Sequence, residues 1–192
     1  MNYQQVTEVQ VVMVVQEFKT KYMRTEFYIS PSFEDVTYDN LLKKIKDNRL
    51  FKIDNTNTLI LNISPDYSSI ISQRLSHALS TDGEIINVVS IEVPYPDETD
   101  NTEYIEHINE VLSRIRSNYT NFVFVEAGVI RGGNYNMIND IFSQKYSDDN
   151  LLYTALFENI HSNFKSDCVG EYYNDNAQDL TFYWETYNKH WK

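Results

Sequence analysis

The stretch Phe122-Val123-Phe124-Val125-Glu126-Ala127-Gly128-Val129-Ile130-Arg131-Gly132-Gly133-Asn134 decides how the rest of the chain is read. An apolar run, Asn121–Val125, ends at a carboxylate. A short segment with a glycine pair follows, and Gly133–Tyr146 then reads as a helix. In open α/β sheets, ligands bind at the carboxyl ends of strands. Main-chain N–H groups in a glycine-rich loop and at the next helix start attract anions. A carboxylate just before such a loop suits sugar hydroxyls. The residues therefore point to a sugar phosphate, its phosphate on the N–H groups of Gly132, Gly133, Asn134 and Tyr135 and its diol near Glu126. Arg131 could add a bidentate phosphate contact or be a surface arginine. A glycine pair also marks ordinary turns, and a strand-end carboxylate can simply face water.

Outward from this segment the pattern alternates. Thr58–Ile63 and Glu84–Ile91 precede it as apolar strands, and Leu151–Phe157, Cys168–Tyr172 and Leu180–Trp184 follow. Between them lie amphipathic helices. Tyr67–Leu79 places Ile70, Ile71, Leu75 and Leu79 inward, and Thr102–Arg116 aligns Ile105, Ile108, Leu112 and Ile115. A further helix is expected over Asp39–Asn48, with Leu41, Leu42 and Ile45 on one face. Residues 7–29 fit a helix then a strand, or two strands. Short apolar strands alternating with helices predict an α/β fold, a mostly parallel twisted sheet with helices on both faces. The expected organisation is one domain over residues 1–192, with an N-terminal part at 1–54 and a core at 55–186.

Composition narrows the function classes. The net charge of −12 over 192 residues argues against bare nucleic acid as a partner, since that affinity comes from Lys and Arg neutralising phosphates. It also disfavours anionic membrane surfaces. One cysteine, Cys168, allows no intrachain disulfide and fits a reducing compartment. No signal peptide is read at the start, so a cytoplasmic protein is expected. The Asn-, Asp- and Tyr-rich, Gly-poor composition resembles that of proteins from AT-rich genomes, large phages among them; the compartment would then be a host cytoplasm. His77, His107, His161 and His190 show no ligand spacing, and Asp97, Glu98, Asp100 and Glu103 read as a solvated acidic loop. No protein-bound metal site is therefore expected from spacing.

Four segments resemble those of the type I phosphoribosyltransferases of the purine type, over about residues 55–186. Glu126 matches the first acidic residue of their ribose-phosphate signature, Val129 a hydrophobic position and Gly132 the loop glycine. Ser64-Pro65-Asp66-Tyr67-Ser68-Ser69 stands where the family binds pyrophosphate. Lys165-Ser166-Asp167-Cys168-Val169-Gly170 resembles the segment ending in Val-Gly, and Leu180–Glu185 the closing strand.

The resemblance implies a phosphoribosyltransferase-like fold and a glycosyltransferase reaction on phosphoribosyl pyrophosphate with Mg2+. Glu126 would be the catalytic carboxylate, and Arg131 to Tyr135 the phosphate loop. Ser64, Pro65, Asp66 and Ser68 would meet pyrophosphate, with Val169 and Trp184 at the base pocket. Family members are often dimers, so a homodimer is the implied assembly.

The chain also departs from the pattern. Ala127 replaces the second acidic residue, and Arg131 and Asn134 replace loop threonines. Leu152 stands where purine-type members have a lysine, and Cys168 where they have a stacking aromatic. Two functions stay open: an enzyme, and a binding or regulatory protein that keeps the fold without turnover.

Overall fold

The computed structural model describes residues 26–63, 65–81, 83–91, 102–145, 149–174 and 179–182. The chain divides into two compact units, Met1–Phe33 with Asn176–Lys192, and Glu34–Asp175. In the first, strand β1 (Glu26–Ile29) pairs in parallel with strand β7 (Asp179–Phe182).

The second unit is built on a five-stranded sheet in the order β3-β2-β4-β5-β6, with every pair parallel. Its strands are β2 (Thr58–Ile63), β3 (Asn87–Ile91), β4 (Asn121–Val129), β5 (Asn150–Asn159) and β6 (Cys168–Tyr173). The helices are α1 (Pro31–Asp47), α2 (Pro65–Leu79), α3 (Thr102–Ile115) and α4 (Gly133–Lys145). All six residues of β2 are buried, as strands covered on both faces should be. One face carries Leu59, Leu61, Phe122, Phe124, Tyr153 and Ala155, which form one core with Ile108 and Leu112 of α3 and Tyr135, Ile138 and Phe142 of α4. The alternate residues Ile60, Val123 and Val125 are buried on the other face. There α2 packs on β2, β3 and β4, and Thr37 of α1 meets Gly170 of β6.

Several elements differ from their sequence reading. Helix α1 begins at Pro31, well before Asp39. The Ser30 hydroxyl accepts the Phe33 N–H at 3.4 Å, and a proline at the first helical position has no N–H to waste. Strand β3 begins at Asn87, after an isolated Thr81–Glu84 bridge, instead of at Glu84. Ile70 is 43% exposed and not inward; α2 buries Ser68, Ile71, Ser72, Leu75, Ser76 and Leu79 instead. Strand β4 does not stop before its carboxylate. It runs on to Val129, with Gly128 paired to Phe157 and Val129 to Glu158, which leaves only residues 130–132 between strand and helix.

The link from β5 to β6 contains no helix. Thr154 pairs with Cys168 and Asn159 with Tyr173, so the chain must retrace only part of β5, roughly 16 Å. Residues 160–167 can span about 26 Å when extended, so a plain loop suffices. This loop lies on the α4 face, where Phe164 contacts the rings of Tyr135 and Tyr153.

Candidate functional site

The strand order is that of a doubly wound sheet. Chain direction across the sheet reverses between β2 and β4, and ligands of such sheets sit outside the carboxyl ends of the strands at that switch point. The last β2–β4 pair is Asn62 with Val125. Glu126 is the next residue of β4. On the β2 side the sheet has therefore ended, while on the β5 side Glu126 still pairs with Ala155. The alternation of β4 puts Phe122, Phe124 and Glu126 on the face covered by α4.

Glu126 is buried, at 5% exposure. Asn134, in the first turn of α4, donates from Nδ2 to its Oε1 at 2.7 Å. Burial disfavours the charged form and pushes the Glu126 carboxyl up to about 7, with the Asn134 hydrogen bond pulling the other way. The neighbouring Ala127 N–H donates to the Ser68 hydroxyl at 2.8 Å, with both groups buried. The start of α2 is thereby tied to β4 at the residue that follows the carboxylate.

Gly132 turns the chain into α4 with φ +78, a conformation glycine adopts at no steric cost. A Cβ there would also lie 2.6 Å from Phe164 Cβ and 2.7 Å from Ser162 Oγ. The 160–167 loop thus closes over this glycine, and the Asn163 N–H donates to the Arg131 carbonyl at 3.2 Å. The loop itself is held firmly. Tyr153 and Asp167 exchange two hydrogen bonds of 2.8 Å. The Ser166 N–H donates to the buried Glu158 at 2.9 Å.

At the helix start the Asn136 N–H is used by the Gly132 carbonyl. The N–H groups of Gly133, Asn134 and Tyr135 precede it in the first turn of α4. Arg131 is exposed. The Tyr135 side chain is fully buried and its hydroxyl donates to the Thr154 carbonyl; anything it offers an anion comes from its main chain. Burial first, then the Glu126 carboxylate, holds the Tyr135 phenol well above its ordinary value.

The remaining expected residues are less concentrated. Pro65 and Asp66 open α2, whereas Ser64 lies outside the described residues, as do Trp184 and residues 97, 98 and 100. Val169 is level with Glu126, since Glu126 pairs with Ala155 and Ala155 with Val169. Its side chain is part of the core on that face, and its carbonyl accepts from Lys44 Nζ at 2.6 Å. Leu152 and Cys168 are buried. Leu152 alternates with Tyr153 and Ala155, which places it on the opposite face. Cys168 lies near Asn48, just after α1, 3.8 Å from its Nδ2. Neither stands beside Glu126.

Sequence reasoning missed the Asn134 side chain as the partner of Glu126, the Ser68–Ala127 bond and the loop over Gly132. Each joins residues through the fold and leaves no local pattern. Two surface cavities of about 520 and 480 Å3, one lined by Tyr38, Arg74 and His77 and the other by Lys43, Lys44 and Asp167, are not lined by Glu126, Gly132 or Asn134.

Magnesium would need several oxygen donors. At positions 126 and 127 the chain offers one carboxyl, buried and bonded to an amide. Among the described residues no group of three or more His, Cys, Asp or Glu comes together. These residues do not form a magnesium site. Among the described residues, too, no helix is long and apolar enough to cross a membrane.

No family model matches the sequence, and no curated protein matches it. Solved structures do match the fold. The Helicobacter pylori xanthine-guanine-hypoxanthine phosphoribosyltransferase superposes with a TM-score of 0.60 at 15% identity, covering 86% of this chain and 97% of that one. The purine phosphoribosyltransferase of Pyrococcus horikoshii gives a TM-score of 0.54 at 15% identity, covering 83% and 93%. The chain therefore has the α/β fold of the purine phosphoribosyltransferases, a five-stranded parallel sheet with helices, in a divergent sequence.

Proposed function

We propose that this chain binds a ribose 5-phosphate ester, either phosphoribosyl pyrophosphate or a nucleotide, at the carboxyl end of β4. The phosphate would lie on the N–H groups of Gly133, Asn134 and Tyr135, with Arg131 at its edge, and the ribose hydroxyls at Glu126. The start of α2, with Ser64, Pro65 and Asp66, would face the pyrophosphate, and Ser68 would tie that start to β4. Val169 would stand at the base end. The observation that carries this reading is the 2.7 Å bond from Asn134 to Glu126, which sets a buried carboxyl beside the start of a helix.

Transfer of the phosphoribosyl group would need Glu126 as a carboxylate, because positive charge grows at the anomeric carbon as pyrophosphate leaves. With its carboxyl near 7, transfer would rise with pH through neutrality. Magnesium would arrive on the pyrophosphate.

A second reading, binding without turnover, is favoured by Ala127. Where the signature has a second acidic residue, this chain has a main-chain N–H tied to Ser68 and one carboxyl left to stabilise charge.

Calorimetric titration with phosphoribosyl pyrophosphate and magnesium, and with purine nucleotides, tests the proposal beside a Glu126→Ala variant. Binding in the wild type that is lost in the variant supports it. Turnover with a base then separates enzyme from binder. No binding to any of these ligands overturns the ribose-phosphate reading.

A further inference from the structure

We infer that the Asn134 side chain is a positioning residue for Glu126, fixing the sugar-binding carboxyl at a set spacing from the N–H groups that open α4. The inference rests on the ribose-phosphate reading and divides Asn134 into two parts. Its main-chain N–H belongs to the anion cradle, and its side chain serves the sugar end.

Glu126 is on β4 and Asn134 on α4, joined by residues 130–132, yet Nδ2 and Oε1 lie 2.7 Å apart. A buried carboxyl without donors is costly. A carboxamide stabilises it without adding charge, so Glu126 can change ionisation state and keep this bond. Because Oε1 accepts from Nδ2, a proton on Glu126 sits on Oε2. Oε2 is then a donor below the titration midpoint and an acceptor above it, and Oε1 is fixed throughout. The adjacent titratable group is the Tyr135 phenol, which stays neutral in the physiological range. Gly132, closed over by Ser162 and Phe164, keeps the intervening turn in one conformation, so the bond transmits the position of α4 to the carboxyl.

The test compares wild type with Asn134→Ala and the near-isosteric Asn134→Asp. Inorganic phosphate and ribose 5-phosphate are each titrated by calorimetry. A carbon-13 titration follows the Glu126 carboxyl, assigned through Glu126→Gln. In Asn134→Ala, inorganic phosphate should bind within about twofold of wild type, because the main-chain donors remain. Ribose 5-phosphate should weaken about tenfold, the loss expected for one hydrogen bond to a charged group. The Glu126 midpoint should move up when the amide is removed. In Asn134→Asp, two facing carboxyls should split the titration, with one group moving well above the wild-type midpoint. Equal losses for both ligands, or an unmoved Glu126 midpoint, overturn the inference. If wild type binds neither ligand, the ribose-phosphate reading falls and the positioning role with it, while a shifted midpoint would still show that the Asn134–Glu126 bond is real.

Discussion

Glu126 and Glu34 are both buried carboxyls that burial pushes up to about 7, yet they keep different company. Glu126 stands at the switch point of the sheet, bonded to a neutral amide beside a helix start. Glu34 is in the first turn of α1, 3.4 Å from Arg74. Arg74 also pairs with Asp35 at 3.0 Å and stacks on the Tyr38 ring at 3.9 Å. One Glu34 oxygen is buried with no hydrogen-bond partner. A raised carboxyl alone therefore does not mark a ligand site. What separates the two is the neighbouring chemistry. A cation stands beside Glu34, whereas Glu126 is bonded to a neutral amide in the first turn of α4.

The largest expected effect lies in the turn between Glu126 and Asn134. Gly132→Ala should cost about 3 kcal/mol of stability, from left-handed backbone and from overpacking against Phe164 and Ser162. Urea denaturation measures it. A loss below about 1 kcal/mol would mean that the 160–167 loop does not hold the turn.

The second effect compares the glutamates directly. A carboxyl whose folded pKa is raised favours folding while protonated. Its contribution is full below the unfolded value near 4.5, is lost as pH rises towards 7, and is level above that. Glu126→Gln should remove this loss, gaining on wild type by about 3 kcal/mol between pH 4.5 and 8, while ribose-phosphate binding weakens. Glu34→Gln should show the same pH window with a smaller net gain, because Arg74 loses a partner, and should leave binding unchanged. Denaturation curves at several pH values check both, and identical binding losses would erase the distinction between the sites.

The smallest effect concerns the tie across the switch point. Ser68→Ala leaves the buried Ala127 N–H without its 2.8 Å acceptor and should cost about 1–3 kcal/mol. If stability is unchanged, water or a main-chain shift replaces the hydroxyl.

The sheet was legible because its strands are buried on both faces and read as unbroken apolar runs, as in Thr58–Ile63 and Asn121–Val125. Element ends were less so. The run Ala127-Gly128-Val129 looks like loop, and it stays strand because β5 continues beside it to Asn159. The buried face of α2 runs through Ser68, Ser72 and Ser76, small polar residues that an apolar pattern overlooks, so the pattern points Ile70 inward although it is exposed. Helix α1 starts at Pro31 behind the Ser30 hydroxyl, and its first turns carry no clear apolar stripe to mark that start. At the site, Glu126 and Gly132 could be read from strand, carboxylate and glycine pair. The Asn134 side-chain bond depends on where α4 lies against β4, which no local spacing encodes.

The most direct measurement is a nitrogen-15 amide titration with ribose 5-phosphate. The expected result is saturable shifts at Gly133, Asn134 and Tyr135, absent in Glu126→Ala, with the Glu34–Tyr38 amides unmoved. Shifts elsewhere with none at 133–135, or the same shifts in the variant, would contradict the placement of the ribose-phosphate site at the carboxyl end of β4.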